Sequence, residues 1–160
     1  MAQTDLDTYG FELDVAQAGQ LADMGLDRRV DSFAAEAEVA FGQAVKRGTD
    51  PEKQCEPIDD AADAFLGVAL FTHTREQGFD RSATPASTGS KYLVSDTVSV
   101  LRKGRVYVNA AGEVNPDDDA YVDPATAEFT ASSTETVGPV GKFQGSLADG
   151  GLVAVDIFRE

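Results

Sequence analysis

The chain has 160 residues, enough for a single domain that buries most of the surface its unfolded form exposes. Hydrophobic residues make up 42%, which excludes wholesale disorder, and no apolar run approaches the ~18 residues of a membrane-spanning helix. Twenty-eight acids against 13 bases give a net charge of −15, and Val106 to Gly141 contains seven acids and no Lys or Arg. Such a surface repels phosphate backbones and argues against nucleic-acid binding.

The first residues, Met1-Ala2-Gln3-Thr4-Asp5, have neither a basic nor an apolar run of the signal-peptide type, so no secretory signal is expected. The single Cys55 has no internal partner and fits synthesis in a reducing cytoplasm. Residues 1–28 read as an N-terminal arm. Within it, Val15, Ala18 and Ala22 recur at helical spacing and predict at most a short helix over 15–24, weakened by Gly19.

From Arg29 to the C-terminus the texture is β, and residues 29–160 are expected to form one domain. Val30-Asp31-Ser32-Phe33 and Ala37 to Phe41 show broken alternation, punctuated by Gly42 and Gly48. Ala64 to Phe71 is a nearly continuous apolar run flanked by acids and polar residues, the pattern of a buried central strand. Residues 78–91 read as a long polar loop.

Thr97 to Ala110 predicts a hairpin. A two-residue turn at Lys103-Gly104 would mix the faces, whereas a three-residue loop, Arg102-Lys103-Gly104, pairs Val100 with Val106 and Val98 with Val108. It gathers four valines on one face and gives Gly104 a position where φ > 0 is wanted. A second hairpin turns through Asp123-Pro124-Ala125-Thr126 between Ala120-Tyr121-Val122 and Glu128-Phe129-Thr130. A last pair joins Gly138–Phe143 to Leu152–Phe158 through Asp149-Gly150-Gly151. Strands at this spacing predict a mainly β fold, a β-sandwich or barrel of jelly-roll-like type, with the arm extended from it.

Chemistry is sparse. His73 is the only histidine and has no nucleophile motif or second metal-ligating partner in sequence, so a structural role at a strand end is expected. Cys55 sits between Gln54 and Glu56, where negative neighbours raise a thiol's pKa and argue against a reactive thiolate. Asp117-Asp118-Asp119 lacks the alternating ligands, glycine and closing glutamate of a calcium loop. Gly150-Gly151 reads as a hairpin turn and not as a phosphate loop opening a helix. No catalytic residue, metal site or cofactor is expected, and the chain does not read as an enzyme.

Several blocks, in order, resemble the phage structural cement family, small capsid-associated proteins that stabilise phage heads. They are Tyr9 with Gly19-Gln20-Leu21-Ala22-Asp23, then Val30-Asp31-Ser32-Phe33, and Glu38 to Val45 with its Phe41-Gly42 centre. Phe65-Leu66-Gly67-Val68-Ala69, Asp96 to Val100 with Gly104 to Val108, and Ala120 to Thr126 follow. Val140-Gly141-Lys142-Phe143 and Gly150 to Val155 close the series. Asp117-Asp118-Asp119 stands where a Gly-Asp turn is commoner in the family, and Ala127 where a turn glycine is expected.

The resemblance implies a β domain that self-associates as a dimer or trimer and docks on the major capsid protein at the outside of the shell. It implies a place in the virion, with neither nucleic acid nor membrane as a partner. Tyr9, Leu21, Val30 and Phe33 are the expected capsid or neighbour contacts, with Val30 and Phe33 equally compatible with the domain's own core. The alternative from another class is a receptor- or carbohydrate-binding β-sandwich on a tail or fibre, which would expose aromatics near residues 78–91, where Phe79 and Tyr92 lie. A hydrolase built on His73 would need a nucleophile and a carboxylate opposite it.

Overall fold

The structure is a computed structural model, described here for residues 16–23, 25–72 and 91–158. Among the described residues it contains eleven strands and no helix: β1 (Arg29–Ala35), β2 (Val39–Ala40), β3 (Ala44–Arg47), β4 (Gln54–Pro57), β5 (Gly67–Ala69) and β6 (Lys91–Tyr92), then β7 (Thr97–Ala111), β8 (Asp119–Asp123), β9 (Glu128–Thr130), β10 (Val137–Phe143) and β11 (Gly151–Phe158). Nine strands form one sheet in the order β1-β4-β3-β5-β7-β11-β10-β8-β9, and β7 also pairs with both β1 and β9. The two extra pairings close the sheet twice. The first closed ring is β1-β4-β3-β5-β7, the second β7-β11-β10-β8-β9, and the 15-residue β7 is the wall they share. Each ring has one parallel pair, β1 with β4 and β7 with β9. β2 and β6 pair apart from the main sheet. Closure removes the exposed sheet edges that would otherwise template association.

β7 corrects the first predicted hairpin. Val98, Val100, Val106 and Val108 do share one parity, but the chain runs straight through Arg102-Lys103-Gly104 instead of turning. Val98 pairs with Phe33 and Val100 with Asp31 on β1, while Val106 and Val108 pair with Val155 and Val153 on β11. An even spacing places two residues on the same face of one strand as readily as on facing strands of a hairpin. The pairing with β1 skips a residue between Leu101 and Lys103, a β-bulge that inverts which face of β7 points into which ring. Val98 and Val100 therefore fill the first core, whereas Leu101, Val106 and Val108 fill the second. Gly104 does have positive φ, +135°, but within the strand.

The other two hairpins form as read. β8 and β9 pair with Val122 opposite Phe129 and Asp123 opposite Glu128. In that turn the Asp123 carbonyl accepts from the Ala127 amide at 2.8 Å and its side chain accepts from the Ala125 amide at 2.9 Å. Ala127, where a glycine is expected, sits at φ +55°, the left-handed conformation that glycine adopts without steric cost. β10 and β11 pair with Phe143 opposite Val155. The apolar run at 64–71 is buried from Phe65 to Leu70, but only Gly67–Ala69 is strand, held between β3 and β7.

The described part of the arm is not helical. Gly19 turns at φ +83°, and its amide donates to the Tyr107 carbonyl at 2.7 Å, while the Ala22 amide donates to the Arg105 carbonyl at 3.0 Å. Leu21 forms a bridge with Val106. Residues 19–22 thus lie along β7 between the stretches of its sequence that β1 and β9 cover, and satisfy backbone groups that would otherwise be bare.

Candidate functional site

Among the described residues no charged or polar side chain is buried in the interior, apart from those of Cys55 and Tyr92. Cys55 is wholly buried in the first core, and its thiol is pushed up to about 11 by burial, with Glu56 adding to the shift. A protonated, enclosed thiol is inert. Tyr92 is likewise buried, edge-on to Phe41, with its hydroxyl donating to the Leu70 carbonyl at 2.6 Å. It is therefore no surface aromatic. His73, Phe79 and the polar loop over 78–90 lie outside the described residues, as does Tyr9.

The surface carries the charge. Lys46, on β3, meets Glu56 at 3.5 Å and Asp63 at 3.0 Å and also bonds Asp59. The Asp59 contact is the main reason its pKa is raised, outweighing partial burial. Burial alone would raise Asp63, but the bond from Lys46 and the amides of Asp59 and Asp60 hold its carboxyl below the ordinary value. Arg102 reaches Asp31 at 3.1 Å, which Arg29 also approaches at 3.6 Å. Arg105 grips Asp156 with two bonds, at 2.8 and 3.0 Å.

The acidic run at 117–119 is a turn. Asp117 has φ +69°, Asp118 accepts from the Asn115 amide at 2.9 Å, and Lys142 ties Asp119 at 3.0 Å. The Asp118 carboxylate serves the turn and the Asp119 carboxylate serves Lys142, and among the described residues no three His, Cys, Asp or Glu side chains converge as metal ligands would.

Two clefts differ sharply in charge. An open groove between the 59–61 loop, the 123–125 turn and residues 130–136 presents Asp59, Asp60, Asp123 and Glu135 with no Lys or Arg. A smaller cleft of about 170 Å³, at the junction of the arm, β7 and β11, is lined by three acids and three bases. Beside it stand Leu26, wholly exposed, and Phe158, 54% exposed.

The expected contact residues separate in the structure. Phe33 is 6% exposed and packs in the first core beneath the Arg47 guanidinium, so its side chain belongs to the domain's interior. Leu21 packs partly buried against the second core. Val30, 40% exposed, presents an apolar side chain to solvent. Leu26 and Phe158, and the Leu93-Val94 turn, are exposed apolar groups that the sequence reading passes over. Phe158 was findable. Val153, Val155 and Ile157 point inward along β11, which puts Phe158 on the outward side among residues where a polar group is expected.

Among the described residues the closed β-rings have apolar interiors, and the exterior is charged and studded with a few apolar groups. The fold is similar, at a TM-score of 0.65 and 17% identity, to that of a chain from the capsid of Myoviridae phage XM1, covering 88% of this chain and 89% of that one. The base of the head fibre gp8.5 of bacteriophage phi29 matches more loosely, at a TM-score of 0.45 and 12% identity over 83% of this chain and 96% of the other. No curated protein matches the sequence. The chain belongs to the structural cement protein family (E217 gp24/Pam3 gp6), whose model matches residues 6–158. It is a capsid-stabilising structural protein, associated with the capsid in the virion.

Proposed function

We propose that the protein docks on the outer surface of the assembled capsid, in contact with the major capsid protein, and holds neighbouring shell subunits together. The observation that carries this reading is the family match, which runs from residue 6 through the whole β domain and so includes most of the arm. A ligand that binds only the assembled shell pulls the equilibrium toward assembly, and the effect multiplies over a symmetric lattice. The four-acid groove and the net charge of −15 suit a basic shell surface.

Tyr9 and Val30 are the proposed direct contacts. Leu21 and Phe33 contribute from within, by holding the arm and β1 in place. The protein acts without catalysis, metal or cofactor, self-associates, takes neither nucleic acid nor membrane as partner, and is made in the host cytoplasm. The inert Cys55 and the acid-fastened turn at 117–119 fit that role.

The test is co-sedimentation of the purified protein with undecorated capsids across a salt series, comparing the full chain with one lacking residues 1–15. That truncation spares the Gly19–Ala22 bonds to β7. Co-sedimentation that weakens without the arm and falls at moderate salt supports docking through the arm and the acidic surface. Full-length protein that stays in the supernatant at every salt concentration defeats the proposal.

A further inference from the structure

One end of the first ring holds two arginines whose hydrogen-bonding capacity the fold leaves largely unspent. β3 finishes at Arg47, β5 begins just after Leu66, and β7 carries its bulge at Arg102, the residue that its pairing with β1 skips. A bulge re-aims the side chain it carries. Together these elements enclose a cleft of about 370 Å³, with Lys46, Arg47 and Arg102 on its walls and Ala64 and Phe65 along it. The mouth of a β-barrel is a recurrent place for a small ligand.

The three cations are not equivalent. Lys46 is spent, because Glu56, Asp59 and Asp63 all hold its ammonium. Arg102 donates from Nη1 to Asp31 at 3.1 Å. Its Nε is shut off from solvent and has no acceptor, the one buried side-chain nitrogen or oxygen in that condition among the described residues. A buried donor left without an acceptor is destabilising, and native structures ordinarily supply one. Arg47 donates from Nη1 to the Pro51 carbonyl and lies over the Phe33 ring, 5.6 Å from its centroid. It makes no ion pair among the described residues. A guanidinium has five N–H donors, so most of those on Arg47 and Arg102 are unused. With Lys46 and Arg102 answered by acids, the charge of Arg47 is the one left unmatched in the cleft.

We propose that this cleft binds an organic carboxylate, with its oxygens shared between the Arg47 and Arg102 guanidiniums and its hydrocarbon body against Ala64 and Phe65. One unmatched positive charge calls for a single negative one, and a planar guanidinium meets a carboxylate through paired N–H bonds. A phosphate brings more charge than the cleft can match, and Asp63 on its wall and Asp31 beside Arg102 repel the excess. Seating the carboxylate turns the Nε edge of Arg102 toward the cleft and gives that donor its acceptor. The site uses neither Tyr9 nor Val30 and is independent of capsid docking.

The experiment is an NMR titration of the full chain, read at the Arg47 and Arg102 side-chain N–H signals and the Leu66 amide. The probes are sodium butyrate, for a free acid, and N-acetylglutamate amide, for an acidic side chain of another protein. Sodium chloride and sodium phosphate at matched ionic strength are the comparisons. Saturable shifts are expected with a carboxylate and not with chloride, and the tighter of the two carboxylates identifies the source. Arg47→Gln and Arg102→Gln should each weaken binding roughly 10-fold, and Arg102→Lys, which keeps the charge but loses the fork, should weaken it as well. Lys53→Gln, at a side chain 78% exposed and outside the cleft, should bind as wild type.

Thermal unfolding checks that the variants fold. If the Arg102 variants do not, Arg47→Gln, at an exposed position, decides alone. Shifts that match those in chloride overturn the proposal, as does saturable binding that survives Arg47→Gln unchanged. Phosphate binding more tightly than either carboxylate overturns the choice of ligand.

Discussion

The two barrels share a strand and little else in how they are built. The second, β7 to β11, rests on β8 and β11, whose burial alternates residue by residue, and its core of Val, Ile and Phe side chains includes Phe129, Phe143 and Ile157, all fully buried. The first relies on strands of three or four residues, β3, β4 and β5, apart from β1 and β7 themselves. Its turns are fastened by side chains: Glu36 receives both the amide and the hydroxyl of Thr49, at 2.7 and 2.5 Å, the Asp50 amide donates to Gln54 at 3.0 Å, and Lys46 gathers three acids. Apolar burial holds long alternating strands, whose turns at Asp118 and Asp123 are fastened as well, whereas strands of three or four residues bury less and depend more on polar fastenings at their ends. Because β7 runs through both, neither barrel can lose its wall without opening the other.

The largest test of that contrast is Phe129→Ala. It empties the centre of the second core and is expected to destabilise the protein by ~3–5 kcal/mol in denaturant titration. Hydrogen exchange should show faster opening of amides in both barrels. Confinement of the effect to β8–β11 would show that the two barrels unfold separately.

Tyr92→Phe probes the first core more gently. It removes the hydroxyl that donates to the Leu70 carbonyl and should cost about 1–2 kcal/mol by the same titration. An unchanged midpoint would mean that water serves the carbonyl equally well.

The Lys46 cluster sharpens the contrast through pH. Asp63 has a folded pKa below its ordinary 3.8, so its contribution is complete above that value and is lost as pH falls through the lower folded value. Lys46 is shifted the opposite way, so its contribution is complete below the ordinary 10.5 and is lost as pH rises through the higher folded value. Lys46→Gln should therefore lower stability at neutral pH and flatten its acid-side decline. Thermal unfolding between pH 2 and 7, values chosen to span roughly the carboxylate range, reads both. A parallel offset with no change of slope would remove the ion cluster from the account.

The smallest effect concerns the second barrel's turns. Glu135 is exposed at φ +53° in the acidic groove, so Glu135→Gly should relieve left-handed strain and stabilise by up to about 1 kcal/mol, partly offset by the added freedom of the unfolded chain. A loss of stability on calorimetry would show that the Glu135 side chain is held by something besides the turn.

The second barrel was largely legible from sequence. Asp123-Pro124 announced its turn, the alternation in β11 announced its face, and glycines marked the β10–β11 connection. The first was legible only as fragments. A three-residue strand such as β5 has no period to read, and its partners β3 and β7 lie about twenty and thirty residues away from it in sequence. β7 was read with the right residues inward and the wrong path, since parity does not distinguish a straight strand from a turn. The exposed patch was half visible: Phe158 broke the alternation, but Leu26 had no periodic neighbour to mark it as exposed.

By itself the sequence determined the mainly β character, the inward residues of the long strands, the −15 charge and the turns with strong local chemistry. Each of these rests on groups close together along the chain or on composition alone. The tertiary structure decided that the sheet closes twice around β7, that residues 19–22 run along that strand, and that acids and bases balance in one cleft. Pairing partners and charge neighbours are set by contacts between residues far apart in sequence, and those contacts exist only once the bulge at Leu101–Lys103 has turned β7 from one core to the other.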